Sequence, residues 1–182
     1  MRLEPGHEAP DFEATLWDGG RVRLADRKGK KTWLAFFRYA GCPLCNLRVH
    51  RTLGRYATLA ASGVELLAVF QSTPETIREY VAEQKPPFPL ISDPDEGLYR
   101  LYGVETSLAG FLAPTNMLML AVAMKAGFGP GRMDGSKTRI PADFLIGPDL
   151  RVDTAFYGKT IGDHIPFEAV DAFAAGPSHG RV

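Results

Sequence analysis

Two compact apolar runs with a helical pattern between them constrain the fold of this chain more than any other feature. Residues 32–37 (TWLAFF) and 64–70 (VELLAVF) have the length and apolar character of strands that are buried on both faces of a sheet. Between them, residues 47–60 place apolar side chains at helical spacing. A strand, a helix and a second buried strand make a right-handed βαβ unit, so we expect an α/β fold around a largely parallel sheet.

The other predicted elements continue this pattern on both sides. The turn signal Asp18-Gly19-Gly20 predicts a hairpin within residues 13–24. Farther along we expect a helix from 72 to about 84, a strand at 88–92, a short helix at 95–102, a hairpin of strands at 143–146 and 152–157, and a terminal helix at 166–175. The prediction is one domain over residues 1–182, with a loose tail from about 176 to 182.

An insert over residues 106–138 departs from the alternation. It holds four of the five methionines, at positions 117, 119, 124 and 133, and its second half is rich in glycine. Methionine is adaptable and common at apolar contacts. We expect a core helix over 115–126 packed on the sheet. The alternative is that part of the insert forms a dimer surface, which would make the protein a homodimer, or one wall of an apolar substrate groove.

The charge balance and the uncharged stretches exclude two classes of partner. The 21 Lys and Arg residues balance the 21 Asp and Glu residues. This balance argues against mainly electrostatic binding to nucleic acid or to an anionic membrane. The longest uncharged stretch, residues 106–124, is interrupted by Gly110 and Pro114, whereas a spanning helix needs about 20 predominantly apolar residues. The N-terminus lacks a signal-peptide pattern, so we expect a cytoplasmic protein without a membrane anchor.

The only two cysteines, Cys42 and Cys45, lie at the junction between the first buried strand and the helix that follows it. A disulfide between them would close almost no loop and would brace the fold little. Redox chemistry is therefore favoured over half of a metal site. A zinc site would need ligands from the scattered histidines His7, His50, His164 and His179. At a helix start, free N–H groups and the helix dipole stabilise a thiolate, and the second sulfur is within disulfide reach.

Further side chains are candidates for the same site. Arg38 ends the first buried strand beside the cysteine loop, where it would add positive charge. Arg48 is expected at the surface. His164 is a candidate acid or base if the C-terminal segment folds over the site.

Several runs carry a family resemblance. FFRYAGCPLCNLRVHR resembles the active-site stretch of the AhpC/TSA-type peroxiredoxin-like proteins, and GHEAPDFEATLWDGGRVRL resembles their opening hairpin. FPLISDPDEGLYRLYGV resembles the strand and short helix after their second crossover. YGKTIGDHIP is similar to the end of the peroxiredoxin-like 2 branch, whose vertebrate members include prostamide/prostaglandin F synthase. Together these runs cover most of residues 6–173 in order.

The resemblance implies a thioredoxin-like fold and thiol-dependent reduction of peroxides, disulfides or endoperoxide-like lipids. It implies no bound cofactor, because an external thiol donor of the thioredoxin or glutathione type would restore the reduced enzyme. In such folds the proline before the strand corresponding to DFLI is cis and its loop faces the cysteines. In this sequence the corresponding proline is Pro141. Arg139 lies two residues earlier and would also approach the site.

Two alignments assign the attacking sulfur differently. Typical peroxiredoxins carry P-x-x-x-[TS]-x-x-C, which makes Cys45 the peroxidatic cysteine and puts Cys42 in the threonine place and Arg38 in the proline place. Thioredoxin-type motifs make the first cysteine the nucleophile and the second the resolving thiol. We favour Cys42, because the first cysteine of such a motif lies at the helix start with its sulfur outward.

The predicted function is a thiol-dependent oxidoreductase in which Cys42 and Cys45 cycle between dithiol and disulfide. A different hypothesis is a non-catalytic redox sensor or interaction module, in which the state of the pair changes the binding of a partner. Metal binding is a third hypothesis.

Overall fold

The computed structural model describes residues 2–176. Most of the predicted loose tail, residues 177–182, and with it His179, therefore lies outside the described residues. The strands are β1 (Glu13–Thr15), β2 (Arg21–Arg23), β3 (Lys31–Phe36), β4 (Val64–Phe70), β5 (Leu90–Ser92), β6 (Ala142–Ile146) and β7 (Val152–Tyr157). The helices are α1 (Pro43–Ala61), α2 (Pro74–Tyr80), α3 (Gly97–Leu101), α4 (Leu108–Phe111), α5 (Thr115–Lys125) and α6 (Phe167–Ala175).

The predicted α/β fold is confirmed, with β3 at the centre of a five-stranded sheet of order β5-β4-β3-β6-β7. The strands β3, β4 and β5 are parallel, whereas β6 pairs antiparallel with β3 and β7 pairs antiparallel with β6. All six residues of β3 are buried, as expected for an apolar run in the middle of a sheet. The early hairpin of β1 and β2 is a separate two-stranded sheet.

Side chains alternate between two apolar layers, one on each face of the sheet. On β3, Trp33 and Ala35 face the layer that contains α1, and Leu34 and Phe36 face the other layer. On β6, which is antiparallel to β3, the same alternation directs Asp143 to the α1 face. One carboxylate is thereby placed in an otherwise apolar layer.

The helix α1 begins four residues earlier than its apolar spacing predicts. Cys42 is the N-cap residue, with extended backbone angles of φ −77° and ψ 121°, and Pro43 is in the first helical turn. Proline is well suited to that position, because its fixed φ is helical. It lacks a backbone N–H group, but such a group in the first turn would have no partner within the helix. Both cysteines therefore lie at the start of α1, one as its cap and the other in its first turn.

The predicted core helix over 115–126 exists as α5, but its predicted packing on the sheet is wrong. α5 packs against α1, and only Asn116 and Ala123 of its residues are buried. The α1 helix already covers this face of the sheet, and α5 lies outside it. Met117 and Leu118 are each 72% exposed. The glycine-rich half of the insert, residues 127–138, is a loop without helix or strand. Among residues 2–176, no helix combines the length and hydropathy that crossing a bilayer requires.

Candidate active site

The thiol of Cys42 lies at the start of α1 beside a guanidinium. Nη1 of Arg38 donates to Sγ of Cys42 over 3.4 Å, and both residues are buried. A side-chain hydrogen bond from Cys45 and the charge of Arg38 outweigh burial and lower the pKa of Cys42 to about 6. Hydrogen bonds from backbone N–H groups of the first turn act in the same direction. Cys42 is therefore largely a thiolate at neutral pH.

Cys45 has the opposite character. Burial, reinforced by the hydrogen bond to Cys42 and by the charge of that thiolate, raises the pKa of Cys45 well above its ordinary value. Both cysteines are free thiols in this structure. The pair thus combines one thiolate with one protonated thiol, which is the arrangement needed for an attacking and a resolving sulfur.

Arg38 is held by contacts on both sides of its guanidinium. Its Nη2 donates to the backbone carbonyl of Lys137, and its guanidinium carbon lies 5.0 Å from the centre of the Tyr39 ring. Its Nε is buried and has no partner among the described residues. Arg38 therefore joins the cysteine loop to the glycine-rich loop 127–138.

That glycine-rich loop lies over the cysteine loop, and this overturns one expectation. The sulfur of Cys42 was expected to face outward, yet Cys42 is 1% exposed, as is Cys45. The N–H of Gly131 donates to the carbonyl of Gly41 over 2.9 Å, and a Cβ at Gly41 would clash with the backbone of Arg132. Because two glycines meet there, the loop approaches closely the main chain of the residue that precedes Cys42.

Asp134 anchors the same loop to the end of β4. Its Oδ1 accepts a hydrogen bond of 2.5 Å from the hydroxyl of Ser72, and its Oδ2 accepts one from the N–H of Thr73. The Ser72 hydroxyl in turn accepts from the N–H of Ala40, two residues before Cys42. The loop, the start of α2 and the cysteine loop are thus connected by a short chain of hydrogen bonds.

Pro141 immediately precedes β6, whose first residue pairs with Phe36 of β3, so Pro141 lies next to the segment that carries the cysteines. Its expected cis geometry is wrong, since every peptide bond among residues 2–176 is trans. The Pro141 carbonyl accepts a hydrogen bond from the N–H of Gly158 over 2.9 Å.

Arg139 lies farther from the cysteines than its place in the sequence indicates. It is buried, with Nη1 donating to the Val104 carbonyl over 2.6 Å and Nη2 paired with the carboxylate of Glu96. Among the described residues it makes no hydrogen bond to either cysteine. Its link to the site is indirect, because Glu96 also accepts from Gln71, whose N–H donates to the Arg38 carbonyl.

A buried Asp–His pair stands beside the α1 face of the sheet. Oδ2 of Asp143 lies 3.0 Å from Nδ1 of His164 and also accepts from the N–H of Ile165, while Oδ1 accepts from Nε1 of Trp33 over 2.9 Å. Burial raises the pKa of Asp143, but the charge and hydrogen bond of His164 and the charge of Arg48 outweigh it, and the net shift is downward. Asp143 is therefore an ionised carboxylate inside the protein.

His164 was a sequence candidate, but Asp143 and Arg48 were not. The expectation that Arg48 lies at the surface is correct only in part, since Arg48 is half-buried, its guanidinium carbon lies 3.8 Å from the centre of the Phe167 ring, and Nη2 donates to the Ile165 carbonyl. Desolvation lowers its pKa without removing its charge. The one signal in the sequence was a lone Asp within the apolar strand DFLI, because a carboxylate is rarely buried without partners.

Comparison with known proteins identifies the family of this chain. A model described as the AhpC/TSA family matches residues 5–155. Peroxiredoxin Bcp of Escherichia coli K12 is 28% identical over 102 residues, 56% of this chain and 65% of that protein. The thiol-disulfide oxidoreductase ResA of Bacillus thuringiensis subsp. konkukian is 29% identical over 112 residues, 61% of this chain and 64% of that protein. These alignments thus span less than two thirds of each relative's length.

The solved structure of peroxidoxin BcpB from Mycobacterium tuberculosis superposes with a TM-score of 0.70 at 14% identity, covering 95% of this chain and 97% of that one. Fold and site together define a peroxiredoxin-type thioredoxin-like protein with a C-x-x-C pair at the start of its first long helix. The chain belongs to the AhpC/TSA family. No group of three or more His, Cys, Asp or Glu side chains within residues 2–176 is arranged to hold a metal ion.

Proposed function

We propose that this protein is a thiol peroxidase in which Cys42 attacks the peroxide and Cys45 resolves the product. The observation that carries the proposal is the contrast between the two sulfurs. Cys42 is a thiolate at the start of α1 with Arg38 3.4 Å away, and Cys45 is a protonated thiol one turn into the same helix. A sulfur with a pKa near or below ambient pH supplies the nucleophile, and a neighbouring thiol supplies the second electron pair.

In the first step the Cys42 thiolate attacks the terminal oxygen of a hydroperoxide, ROOH. An S–O bond forms, the O–O bond breaks, and the alkoxide leaves and takes a proton from water to become the alcohol. The sulfur is oxidised to a sulfenic acid and the peroxide is reduced. The guanidinium of Arg38 would stabilise the negative charge as it moves from sulfur to oxygen.

In the second step the Cys45 thiol attacks the sulfenic sulfur. A disulfide forms, and the sulfenic oxygen leaves as water with the proton of the Cys45 thiol. Two thiols of an external donor, of the thioredoxin or glutathione type, then reduce the disulfide by thiol–disulfide exchange. Pro141 and Arg139 would act by positioning, the first beside the strand that leads to the cysteines and the second through Glu96 and Gln71.

Single-cysteine variants test the assignment. With hydrogen peroxide and a thioredoxin system as donor, Cys42→Ser should lose turnover, whereas Cys45→Ser should still form one sulfenic acid per chain, which dimedone traps. Two outcomes would reverse the roles of the two sulfurs. They are undiminished turnover by Cys42→Ser, and dimedone labelling of Cys45 in the Cys42→Ser protein at the wild-type rate. Either outcome would support the alignment that makes Cys45 the peroxidatic cysteine.

The burial of Cys42 also favours the redox-sensor hypothesis. A thiolate that is buried in this way would react slowly, and disulfide formation would remove the negative charge that faces Arg38. A sensor of this kind reacts once and changes the binding of a partner, whereas a peroxidase turns over many times per chain. With thiol donor in excess, consumption of ten or more peroxide molecules per chain would favour the peroxidase over the redox sensor.

The finer family assignment remains part of the proposal. The closing run from Tyr157 to Pro166 supports the peroxiredoxin-like 2 branch, and it contains His164 and the segment that contacts α1. If the assignment is correct, the reduced protein should convert a prostaglandin endoperoxide to its F-type diol with a thiol donor.

A homodimer through the exposed face of α5 would appear as twice the chain mass in sedimentation equilibrium.

A further inference from the structure

Loop 127–138 runs beside residues 38–41, the segment that leads into the cysteine motif. Four contacts, taken in chain order, join the two segments: Gly131 with Gly41, Asp134 through Ser72 with Ala40, Gly135 with Tyr39, and Lys137 with Arg38. Because the order of contacts along one segment is the reverse of the order along the other, the two segments run antiparallel. The loop therefore touches the cysteine segment at several points, and the last of them is the arginine that faces the thiolate.

The guanidinium of Arg38 has two hydrogen-bond acceptors within residues 2–176. Nη1 donates to Sγ of Cys42 over 3.4 Å, and Nη2 donates to the Lys137 carbonyl. The nitrogens of a guanidinium form a rigid planar fork, so an acceptor that fixes one of them also sets the direction of the others. The Lys137 carbonyl therefore orients the donor that faces the sulfur.

The position of the Lys137 carbonyl depends in turn on Asp134, three residues earlier. Asp134 is the only carboxylate of the loop, and within residues 2–176 its side chain is the only one of the loop that hydrogen-bonds to a residue outside it. It accepts from the hydroxyl of Ser72 over 2.5 Å and from the N–H of Thr73 over 3.3 Å. Ser72 is fully buried, so the loop is anchored to a fixed part of the fold between β4 and α2.

We propose that Asp134 is a positioning residue for Cys42, which fixes loop 127–138 so that the Lys137 carbonyl holds Arg38 against the sulfur. The inference deepens the proposed function and rests on it, because it takes Cys42 as the attacking thiolate. Asp134 takes part in no bond change. Its contribution is that the positive charge which stabilises the thiolate is already in place when the peroxide arrives.

The sign of the effect separates positioning from direct electrostatics. Removal of a carboxylate near a thiol lowers the thiol pKa, because repulsion between like charges is relieved, whereas a loosened Arg38 raises it. Asp134→Ala should therefore raise the pKa of Cys42, by about one pH unit, which lowers the thiolate fraction at pH 7 from about nine-tenths to about one-half. The rise is smaller than for removal of the Arg38 charge, because that charge remains and the Thr138 carbonyl still accepts from the Ser107 N–H.

The measurement is the pH dependence of thiolate absorbance at 240 nm in reduced proteins that retain both cysteines. Asp163→Ala is the matched control. Asp163 is also a half-buried loop carboxylate and accepts from the backbone N–H of Lys159 over 2.8 Å, but it makes no hydrogen bond to loop 127–138. Its loss should change the pKa of Cys42 by less than about 0.3 pH unit.

A double-mutant cycle shows whether Asp134 acts through Arg38. In the Arg38→Gln background, Asp134→Ala should no longer raise the pKa of Cys42 by more than about 0.3 pH unit. Asp134→Asn keeps one acceptor oxygen for the Ser72 hydroxyl, so the pKa of Cys42 in that variant should lie between those of the wild type and of Asp134→Ala. The same cycle is run with Asp134→Asn if the alanine variant does not fold.

Three results would overturn the proposal. They are an unchanged or lowered pKa of Cys42 in the Asp134 variants, an equal rise in Asp163→Ala, and a rise that is the same with and without Arg38. None of these measurements uses a peroxide. Failure of the wild-type protein to turn over hydrogen peroxide would refute the proposed peroxidase function instead, and it would leave the pKa results unchanged.

Discussion

Removal of the Arg38 charge is the most direct test of how the thiolate is stabilised. The guanidinium donates to Sγ of Cys42 over 3.4 Å, and the pKa of Cys42 is lowered to about 6. Two unit charges about 4 Å apart interact by about 4 kcal/mol at an effective dielectric constant of about 20. At about 1.4 kcal/mol per pH unit, loss of this interaction would raise the pKa of Cys42 by at most about three units.

The expected rise for Arg38→Gln is smaller than that limit, about two units, because the amide N–H group of Gln can still donate a hydrogen bond to Sγ of Cys42. The hydrogen bond from Cys45 and those from the first-turn N–H groups are unaffected by the substitution. A rise of two units reduces the thiolate fraction at pH 7 from about nine-tenths to about one-tenth. The rate at which a small alkylating reagent modifies Cys42 at pH 7 should therefore fall about tenfold, and the two proteins should react alike near pH 10.

The assay is the pH dependence of thiolate absorbance at 240 nm in proteins that retain Cys45, combined with iodoacetamide modification of Cys42 followed by peptide mass analysis. Arg38→Lys keeps the charge without the guanidinium fork, so the pKa of Cys42 in that variant should lie between those of the wild type and of Arg38→Gln. The reasoning is refuted if Arg38→Gln titrates within about half a pH unit of wild type. In that case the charge of Arg38 does not stabilise the thiolate and the helix start suffices.

Three further predictions follow from the structure. Gly41→Ala should force loop 127–138 away and speed modification of Cys42 at pH 7 by about threefold or more, since covered thiols react through local opening. Asp143→Asn should lower the free energy of unfolding in urea by about 1–3 kcal/mol, because an amide has one acceptor oxygen where the carboxylate oxygens hold Trp33, His164 and Ile165, so that a buried donor loses its partner. Relative to Cys42→Ser, the reduced protein should gain stability as pH rises from about 6 to 9, because a lowered pKa favours the folded state above it.

The two structural substitutions each have a matched control, and the pH dependence is itself measured against Cys42→Ser. Gly54→Ala, at a helical position where an added Cβ meets nothing within 4 Å, should leave the modification rate unchanged. Asp153→Asn, at an exposed position of β7, should change stability by less than about 0.5 kcal/mol. A modification rate for Gly41→Ala equal to that of Gly54→Ala would mean that the loop does not control access. A flat difference in stability between pH 6 and 9 would contradict the low pKa of Cys42.

The sheet and the position of the cysteines were predictable because they depend on local patterns. The runs 32–37 and 64–70 are long enough and apolar enough to be central strands, and they became β3 and β4. The start of α1 was placed too late, because apolar spacing begins only after the first turn, which is fixed by Pro43 and the Cys42 cap. Capping geometry, rather than periodicity, determines where the thiols lie.

In the rest of the candidate site only His164 was a sequence candidate, and its partners could not be predicted because they come from distant segments. Asp143, His164 and Arg48 come from β6, the loop before α6 and α1, and no spacing in the sequence relates them. The packing of α5 was also ambiguous, since a helix that is apolar on all sides carries no signal for the face it buries. The cis expectation for Pro141 came from resemblance, and the pairing of β6 with β3 is formed with a trans bond instead.

The contact between Gly41 and Gly131 makes one part of the cover over the cysteine loop a contact of main chain with main chain, next to the side-chain anchor at Asp134. A methyl group on either glycine would collide with a neighbour, Arg132 on one side and Tyr80 on the other. The outward-facing residues of loop 127–138 are consequently free to vary. Different loop sequences could then be placed beside the same cysteine loop, and a designer could change what the protein recognises while keeping its chemistry intact.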